Sequence, residues 1–224
     1  MNPRPWIALS SSTGRTLATL VRTLSPEARA SLRGLYTDRE CGAPAALAEV
    51  RPDVPHLRLP RKELEKRVLE DLRRPELRDA LVLCCGYFAI LSKDFVENCP
   101  APLVNTHPSL LPAFPGLEKS VHEQAARQVA VSGFTVHLIT AELDGGPILF
   151  QHPVWLDPAL EPEALRESVR AAEQHYLPQI WDRLLRTDLR GPDRDAVSSL
   201  ELRRRLGLRA PSFKNLDLHT ERSP

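Results

Sequence analysis

No apolar run in the 224-residue sequence approaches the ~20 residues that a membrane-spanning helix needs. Met1-Asn2-Pro3-Arg4-Pro5 leads straight into a strand-like segment without a signal-type apolar stretch, so the chain is expected to be cytoplasmic and to have no membrane partner. An excess of charge of one sign is also missing. The 30 Lys+Arg stand against 29 Asp+Glu, a formal +1, which removes the general reason to expect nucleic acid as a partner. Cys41, Cys84, Cys85 and Cys99 have neither zinc-type spacing nor a Cys-x-x-Cys pair, so no metal site and no redox pair is expected. Cys84 and Cys85 are neighbours on one strand and point to opposite faces, which fits reduced structural thiols rather than joint ligands. Gly-x-Ser-x-Gly, the serine-nucleophile elbow, does not occur. With 42% hydrophobic and 26% charged residues, what remains is an ordinary globular protein suited to small-molecule partners.

The 21 prolines punctuate a repeated strand-helix alternation. Trp6 to Leu9 reads as a strand, Ser10 to Thr16 as a loop, and Leu17, Leu20, Val21 and Leu24 follow helical spacing. Strands are expected at Leu32 to Thr37 and His56 to Leu59, with helices at Ala43 to Val50 and Arg61 to Leu72. Leu81-Val82-Leu83-Cys84-Cys85 is the most apolar short run and suits a central parallel strand buried on both faces. Further on come a helix at Ser120 to Arg127, a strand or hairpin at Val129 to Ile139, a strand at Ile148 to Gln151, and a long helix at Glu163 to Leu185. Pro178 should bend or break that last helix. The fold class is α/β, an open, mostly parallel sheet with helices on both faces. Residues 1–190 form the main domain. Gly191-Pro192 marks a boundary, and 191–224 reads as an extension, a short helix plus a loose tail.

The stretch with the most chemistry is Val104-Asn105-Thr106-His107 and the loop after it, stiffened by Pro108, Pro112 and Pro115. Alternation puts Asn105 and His107 on one face of a strand, where an amide and an imidazole can address one polar group together. Asp144-Gly145-Gly146-Pro147 is a tight turn that can carry its carboxylate close to another loop. The Ser10 to Thr16 loop enters a helix, so its N–H groups and Arg15 could hold an anion, or the serines could serve only as a cap.

Asn105-Thr106-His107-Pro108-Ser109-Leu110-Leu111-Pro112 resembles the signature of the folate-dependent formyltransferases. Phe114-Pro115-Gly116-Leu117 resembles the glycinamide ribonucleotide transformylase branch in particular. Ser132 to His137, continuing through Leu143-Asp144-Gly145-Gly146-Pro147-Ile148, is similar to the family's second signature. The resemblance implies a formyltransferase-like sheet with a Rossmann-type nucleotide-binding half. It also implies a formyl transfer from 10-formyltetrahydrofolate to the amine of glycinamide ribonucleotide in purine synthesis, without metal. In that reading Asn105, His107 and Asp144 are catalytic, and Gly14, Arg15 and Thr16 hold the substrate phosphate while Glu173 holds its ribose. Phe88, Ala89, Ile90 and Leu91, with Asn105, line the folate pocket, and Thr135 and His137 support the site. Two departures stand out: Ser12 replaces a loop glycine, and Ala89 replaces an arginine. Another acceptor such as a sugar amine, a formyltetrahydrofolate hydrolase, and a non-catalytic folate-binding protein are the alternatives. The oligomeric state is open.

Overall fold

The structure, a computed structural model, describes residues 2–116, 118–156, 161–189 and 199–207. The alternation resolves into β1 (Trp6–Leu9), α1 (Arg15–Thr23), α2 (Pro26–Ala30), β2 (Leu32–Thr37), α3 (Ala43–Ala48), β3 (His56–Arg58) and α4 (Arg61–Leu72). After a single 3-10 turn at Pro75–Leu77 come β4 (Leu81–Cys84), α5 (Lys93–Asn98), β5 (Leu103–His107) and α6 (Glu118–Gln128). The chain continues through β6 (Val131–Leu138), β7 (Ile148–Trp155), α7 (Pro162–Arg186) and α8 (Ser199–Arg205). The seven strands form one sheet in the order β3-β2-β1-β4-β5-β6-β7. The five from β3 to β5 pair in parallel, and β6 and β7 close the far edge as an antiparallel hairpin. The strand order reverses between β1 and β4. In open α/β sheets ligands collect outside the carboxyl ends of the strands near such a reversal.

Alternation along the central strands sorts the core into two layers. Trp6, Ala8, Leu83, Cys85 and Val104 face the layer of α1 and α7, while Ile7, Leu9, Val82, Cys84 and Leu103 face the layer of α4 and α5. All four cysteines are free thiols. Burial pushes the Cys84 thiol up to about 12 and that of Cys85 well above its ordinary range, which suits packing rather than reaction. Among the described residues, no helix is long and apolar enough to cross a membrane.

Two short helices join the expected elements. α2 begins at Ser25-Pro26, where Ser25 Oγ accepts from the Ala28 N–H and proline occupies the first turn. α5 begins at Ser92, whose Oγ accepts from the Phe95 N–H at 3.1 Å. The strand or hairpin at Val129 to Ile139 is one strand, β6. Of the bend or break expected at Pro178, the break does not occur, because α7 runs uninterrupted from Pro162 to Arg186. Proline inside a helix costs about 3 kcal/mol. Here Leu177, Ile180, Trp181, Leu184 and Leu185 are all buried around it, at about 1.5–3 kcal/mol each for the large apolar side chains. Trp181 meets Trp6 edge-on with ring centroids 5.4 Å apart. Packing therefore decides the local conformation.

The short helix expected beyond Gly191 is α8, and it docks on the main core. Leu202 and Leu206 are buried in the same cluster as α7, and the Ile148 N–H donates to Ser199 Oγ at 3.0 Å. The Gly191-Pro192 boundary and the tail from 208 on lie outside the described residues. Leu202→Ala should cost about 2–4 kcal/mol, since it leaves a cavity under β7. Urea denaturation measures this, and a loss below about 0.5 kcal/mol would contradict the docked position of α8.

Candidate active site

Two cavities open at the carboxyl edge of β4 and β5, one on each side of the sheet. The first, of about 210 Å³, is lined by Tyr87 to Leu91, by Asn105 and His107 of β5, and by Thr140 to Asp144 of the β6–β7 loop. The second, of about 260 Å³, lies toward α1 and α7 and is lined by Ser12, Thr13, Thr16, Cys85, Arg166, Arg170 and Glu173 among others. Gly86, Phe88, Thr106 and Pro108 border both cavities. Cys84 lies under the first and Cys85 under the second, which is the alternation of β4 carried to the rim. Asn105 and His107 likewise belong to the first cavity, while Thr106 between them reaches the boundary of the two.

The polar cluster of the first cavity is built by strand pairing. Asn105 sits opposite His137 in the β5–β6 ladder, and Asn105 Nδ2 lies 3.1 Å from His137 Nε2. His137 Nδ1 lies 2.9 Å from the Leu138 carbonyl, which can only accept, so Nδ1 carries the proton and Nε2 is left to accept from the amide. That assignment fixes the flip of Asn105 and leaves its second N–H free for the cavity. Burial holds His137 below the ordinary histidine range, against the opposing pull of the Leu138 carbonyl and Asp144, and so keeps it neutral. His107 Nε2 is 2.9 Å from the Phe114 carbonyl and therefore donates to it, which turns Nδ1 toward Asp144.

Asp144 faces both imidazoles: Oδ2 is 3.6 Å from His107 Nδ1, and Oδ1 is 3.8 Å from His137 Nε2. The Gly116 N–H donates to Asp144 Oδ2 at 2.8 Å and ties the proline loop to the β6–β7 turn. Asp144 and Phe114 both adopt positive φ, 52° and 54°, a sparsely populated state for residues with side chains. A Cβ on Gly146 would lie 1.8 Å from the Leu138 carbonyl oxygen, so only glycine lets the turn come this close. The base of the proline loop is pinned through Thr135, whose Oγ1 donates to Ser109 O at 2.6 Å and accepts from the Leu111 N–H at 3.0 Å. Gln151 Nε2 donates to Leu111 O at 2.8 Å beside it.

The first cavity's other wall is held from α4. Glu65, buried, accepts from the Ser92 N–H at 3.0 Å and from Ser92 Oγ at 2.6 Å, and Arg61 donates to Ile90 O at 2.7 Å. Gly86 has φ 59°, and a Cβ there would meet Ser12 Oγ at 2.4 Å, so the serine of the first loop occupies the space beside that glycine.

Residues 7–181 match the formyl transferase family model. The chain belongs to the formyl transferase family. It is 34% identical over 178 residues to the phosphoribosylglycinamide formyltransferase of Mycobacterium tuberculosis (strain ATCC 25618 / H37Rv), covering 78% of this chain and 82% of that one. The crystal structure of phosphoribosylglycinamide formyltransferase from Anaplasma phagocytophilum is similar, with a TM-score of 0.71 and 29% identity over 81% of this chain and 86% of that one. A formyltetrahydrofolate deformylase of Haemophilus influenzae is 33% identical over 129 residues, 58% of this chain and 45% of that protein.

In this formyltransferase, Asn105, His107, Asp144 and His137 converge, and Phe88, Ala89, Ile90 and Leu91 line the cavity they border. Thr135 anchors the loop from Ser109 to Leu111, one strand position pair away from Asn105. Thr16 and Glu173 meet in the second cavity, with Thr16 Oγ1 3.4 Å from Glu173 Oε2. Gly14, at φ 75°, caps α1, and a Cβ there would strike Ala43 Cα at 2.5 Å. Neither Gly14 nor Arg15 lines that cavity; Arg15 lies over the surface of α7, 3.5 Å from Glu167. Arg166 and Arg170 were not singled out from the sequence, because charges on a helix read as a solvated face until the tertiary structure turns them inward. The same holds for the Glu65 and Arg61 contacts.

His122 on α6 is buried, and its Nδ1 has no hydrogen-bond partner among the described residues. Burial first, then Arg166 and Arg170, hold it down to about 4. His122 and His137 are thus neutral in the fold but take up protons when unfolded below about pH 6.5, their ordinary value. The unfolded chain binds more protons in that window, so stability should fall as pH drops from 6.5 toward 4. His122→Gln should flatten this decline by up to about 1.4 kcal/mol per pH unit, one proton's worth, in urea midpoints measured from pH 7 to 4.5. An unchanged slope would place the proton uptake on other groups.

Proposed function

We propose that this chain transfers the formyl group of 10-formyltetrahydrofolate to the amine of glycinamide ribonucleotide, a step of purine biosynthesis, without a metal ion. One observation carries the reading: two cavities on opposite faces of the sheet share the rim Gly86, Phe88, Thr106 and Pro108, beside an amide, an imidazole and a carboxylate. A formyl donor in the first cavity and an amine in the second would meet over that rim. Among the described residues, no group of three or more His, Cys, Asp or Glu side chains is arranged to hold a metal.

The chemistry needs one new C–N bond, the cleavage of the formyl C–N10 bond, and one proton moved from the acceptor nitrogen to N10. Attack of the amine creates a tetrahedral intermediate with negative charge on the formyl oxygen. The free N–H of Asn105 donates to that oxygen, held in place by neutral His137. His107, oriented by the Phe114 carbonyl, adds a second donor from Nδ1 when that nitrogen carries a proton. Asp144 takes the proton from the amine and passes it to N10; its Oδ2 stands 3.6 Å from His107 Nδ1. Phe88 to Leu91 hold the folate ring, and Glu173 with Thr16 holds the ribose. Thr135 and His137 act by positioning. The acting segment is the domain over residues 1–190.

A hydrolase that removes the formyl group is the second reading, favoured by the deformylase likeness. Water as the acceptor needs no second cavity with Glu173 at its wall. Incubating the protein with 10-formyltetrahydrofolate, with and without glycinamide ribonucleotide, separates the two. Formylated product is expected only with the ribonucleotide, and His107→Ala and Asp144→Asn should each lower kcat about a hundredfold or more with circular dichroism unchanged. Release of formate at the same rate without an acceptor, or folded variants with wild-type turnover, would overturn the mechanism.

A further inference from the structure

The rim between the two cavities is fastened from a carboxylate that lines neither of them. The Cys85 N–H donates to Leu9 O at 3.0 Å, which carries the β1–β4 pairing past Cys84, and the Ser11 N–H then donates to Gly86 O at 2.9 Å. The next amide of β4's extension, that of Phe88, finds no carbonyl opposite it. It donates instead to Ser11 Oγ at 3.4 Å, so a side-chain hydroxyl stands where a parallel strand would offer its backbone oxygen. Gly86 and Phe88 border both cavities, and the two bonds to Ser11 therefore bracket the backbone of the rim.

A backbone carbonyl in a ladder cannot turn, but a hydroxyl can, and it loses the Phe88 amide whenever its own hydrogen points that way. Asp38, the residue after β2, removes this freedom. Its Oδ1 accepts from Ser11 Oγ at 2.5 Å, a separation typical of a hydroxyl on a charged carboxylate, which commits the hydrogen and leaves the lone pairs for Phe88. The carboxylate is itself held, since its side chain is 5% exposed and Arg39 Nη2 donates to Oδ2 at 2.8 Å. Burial works against its charge, but the hydrogen bonds from Arg39 and Ser11 and the Arg39 charge keep the carboxyl below its ordinary value, so it stays ionised at neutral pH.

We infer that Asp38 is a positioning residue for the transfer: by orienting Ser11 it fixes the backbone of Gly86 and Phe88, and with it the gap over which the formyl carbon and the amine nitrogen meet. The inference rests on the proposed transfer between the two cavities. Each substrate is held mainly within its own cavity, whereas the approach of the reacting atoms is set at the rim, where a shift of about 1 Å can cost a hundredfold. Asp38 therefore acts on kcat more than on either KM.

Two measurements test this. In steady-state kinetics, Asp38→Ala with an unchanged circular dichroism spectrum should lower kcat at least tenfold, with KM for glycinamide ribonucleotide and for 10-formyltetrahydrofolate each within a factor of three. Asp38→Asn keeps an oxygen that accepts from Ser11 and should recover at least threefold of the loss. Since Asp38 works through Ser11, the double variant Asp38→Ala/Ser11→Ala should match Ser11→Ala alone within a factor of two, where independent residues would multiply their effects. A carboxylate that only stabilises the fold would not confine the loss to kcat. A kcat within threefold of wild type in folded Asp38→Ala, a loss carried mainly by one KM, or multiplied effects in the double variant would overturn the inference while leaving the formyl transfer intact. Amide hydrogen exchange reads the same contact without any acceptor chemistry. Asp38→Ala should speed exchange at Phe88 at least tenfold and leave Val104 and Asn105 of β5 as in the wild type. Unchanged protection at Phe88 would overturn the inference, whereas faster exchange in a protein inactive on glycinamide ribonucleotide would keep the positioning of the rim and reject only the acceptor's identity.

Discussion

Side-chain alternation on two adjacent parallel strands is the constraint on which the rest depends. β4 and β5 end side by side, and successive residues on each must point to opposite faces. That geometry sends Cys84, Asn105 and His107 one way and Cys85 and Thr106 the other. A single sheet edge therefore serves two compartments, with a rim of only a few residues between them. Moving either strand's register by one residue would exchange the two sets and abolish both cavities at once.

The polar cluster then follows from hydrogen-bond bookkeeping. The Leu138 carbonyl can only accept, which commits one nitrogen of His137, and through it the orientation of Asn105. The Phe114 carbonyl does the same for His107. Backbone carbonyls thus set two tautomers and an amide flip, and buried surroundings keep His137 neutral. The strained backbone at Phe114 and Asp144 costs of order 1–3 kcal/mol each and is held by the Gly116 to Asp144 hydrogen bond and by Thr135. The anchoring contacts come from different strands, so the loops are over-determined.

Much of this was legible in the sequence because it rests on local rules. The strand-helix alternation, the shared face of Asn105 and His107, the opposed cysteines and the close Asp-Gly-Gly turn all follow from spacing and residue type. The failures have a common cause in tertiary context. Pro178 predicts a bend or a break, and the break is averted by the apolar neighbours that bury it. Arg166 and Arg170 look like surface charges until α7 is laid over the sheet edge, and Arg15, adjacent to a capping glycine, points away once α1 packs on α3. α2 and α5 were missed although each carries a serine cap, because helices of 5 and 6 residues have too little periodicity to register.

The contact between Ser12 and Gly86 has a consequence for how this chain can change over generations. Both residues line the second cavity, Gly86 borders the first as well, and they compete for the same few cubic ångströms. A side chain at 86 must displace the Ser12 hydroxyl, and the positive φ at 86 adds its own barrier. Substitutions at the two positions are therefore epistatic, and the order in which they arise matters. A lineage that enlarges its first loop at 12 favours glycine at 86, so a change in the second cavity is coupled to a wall that also borders the first.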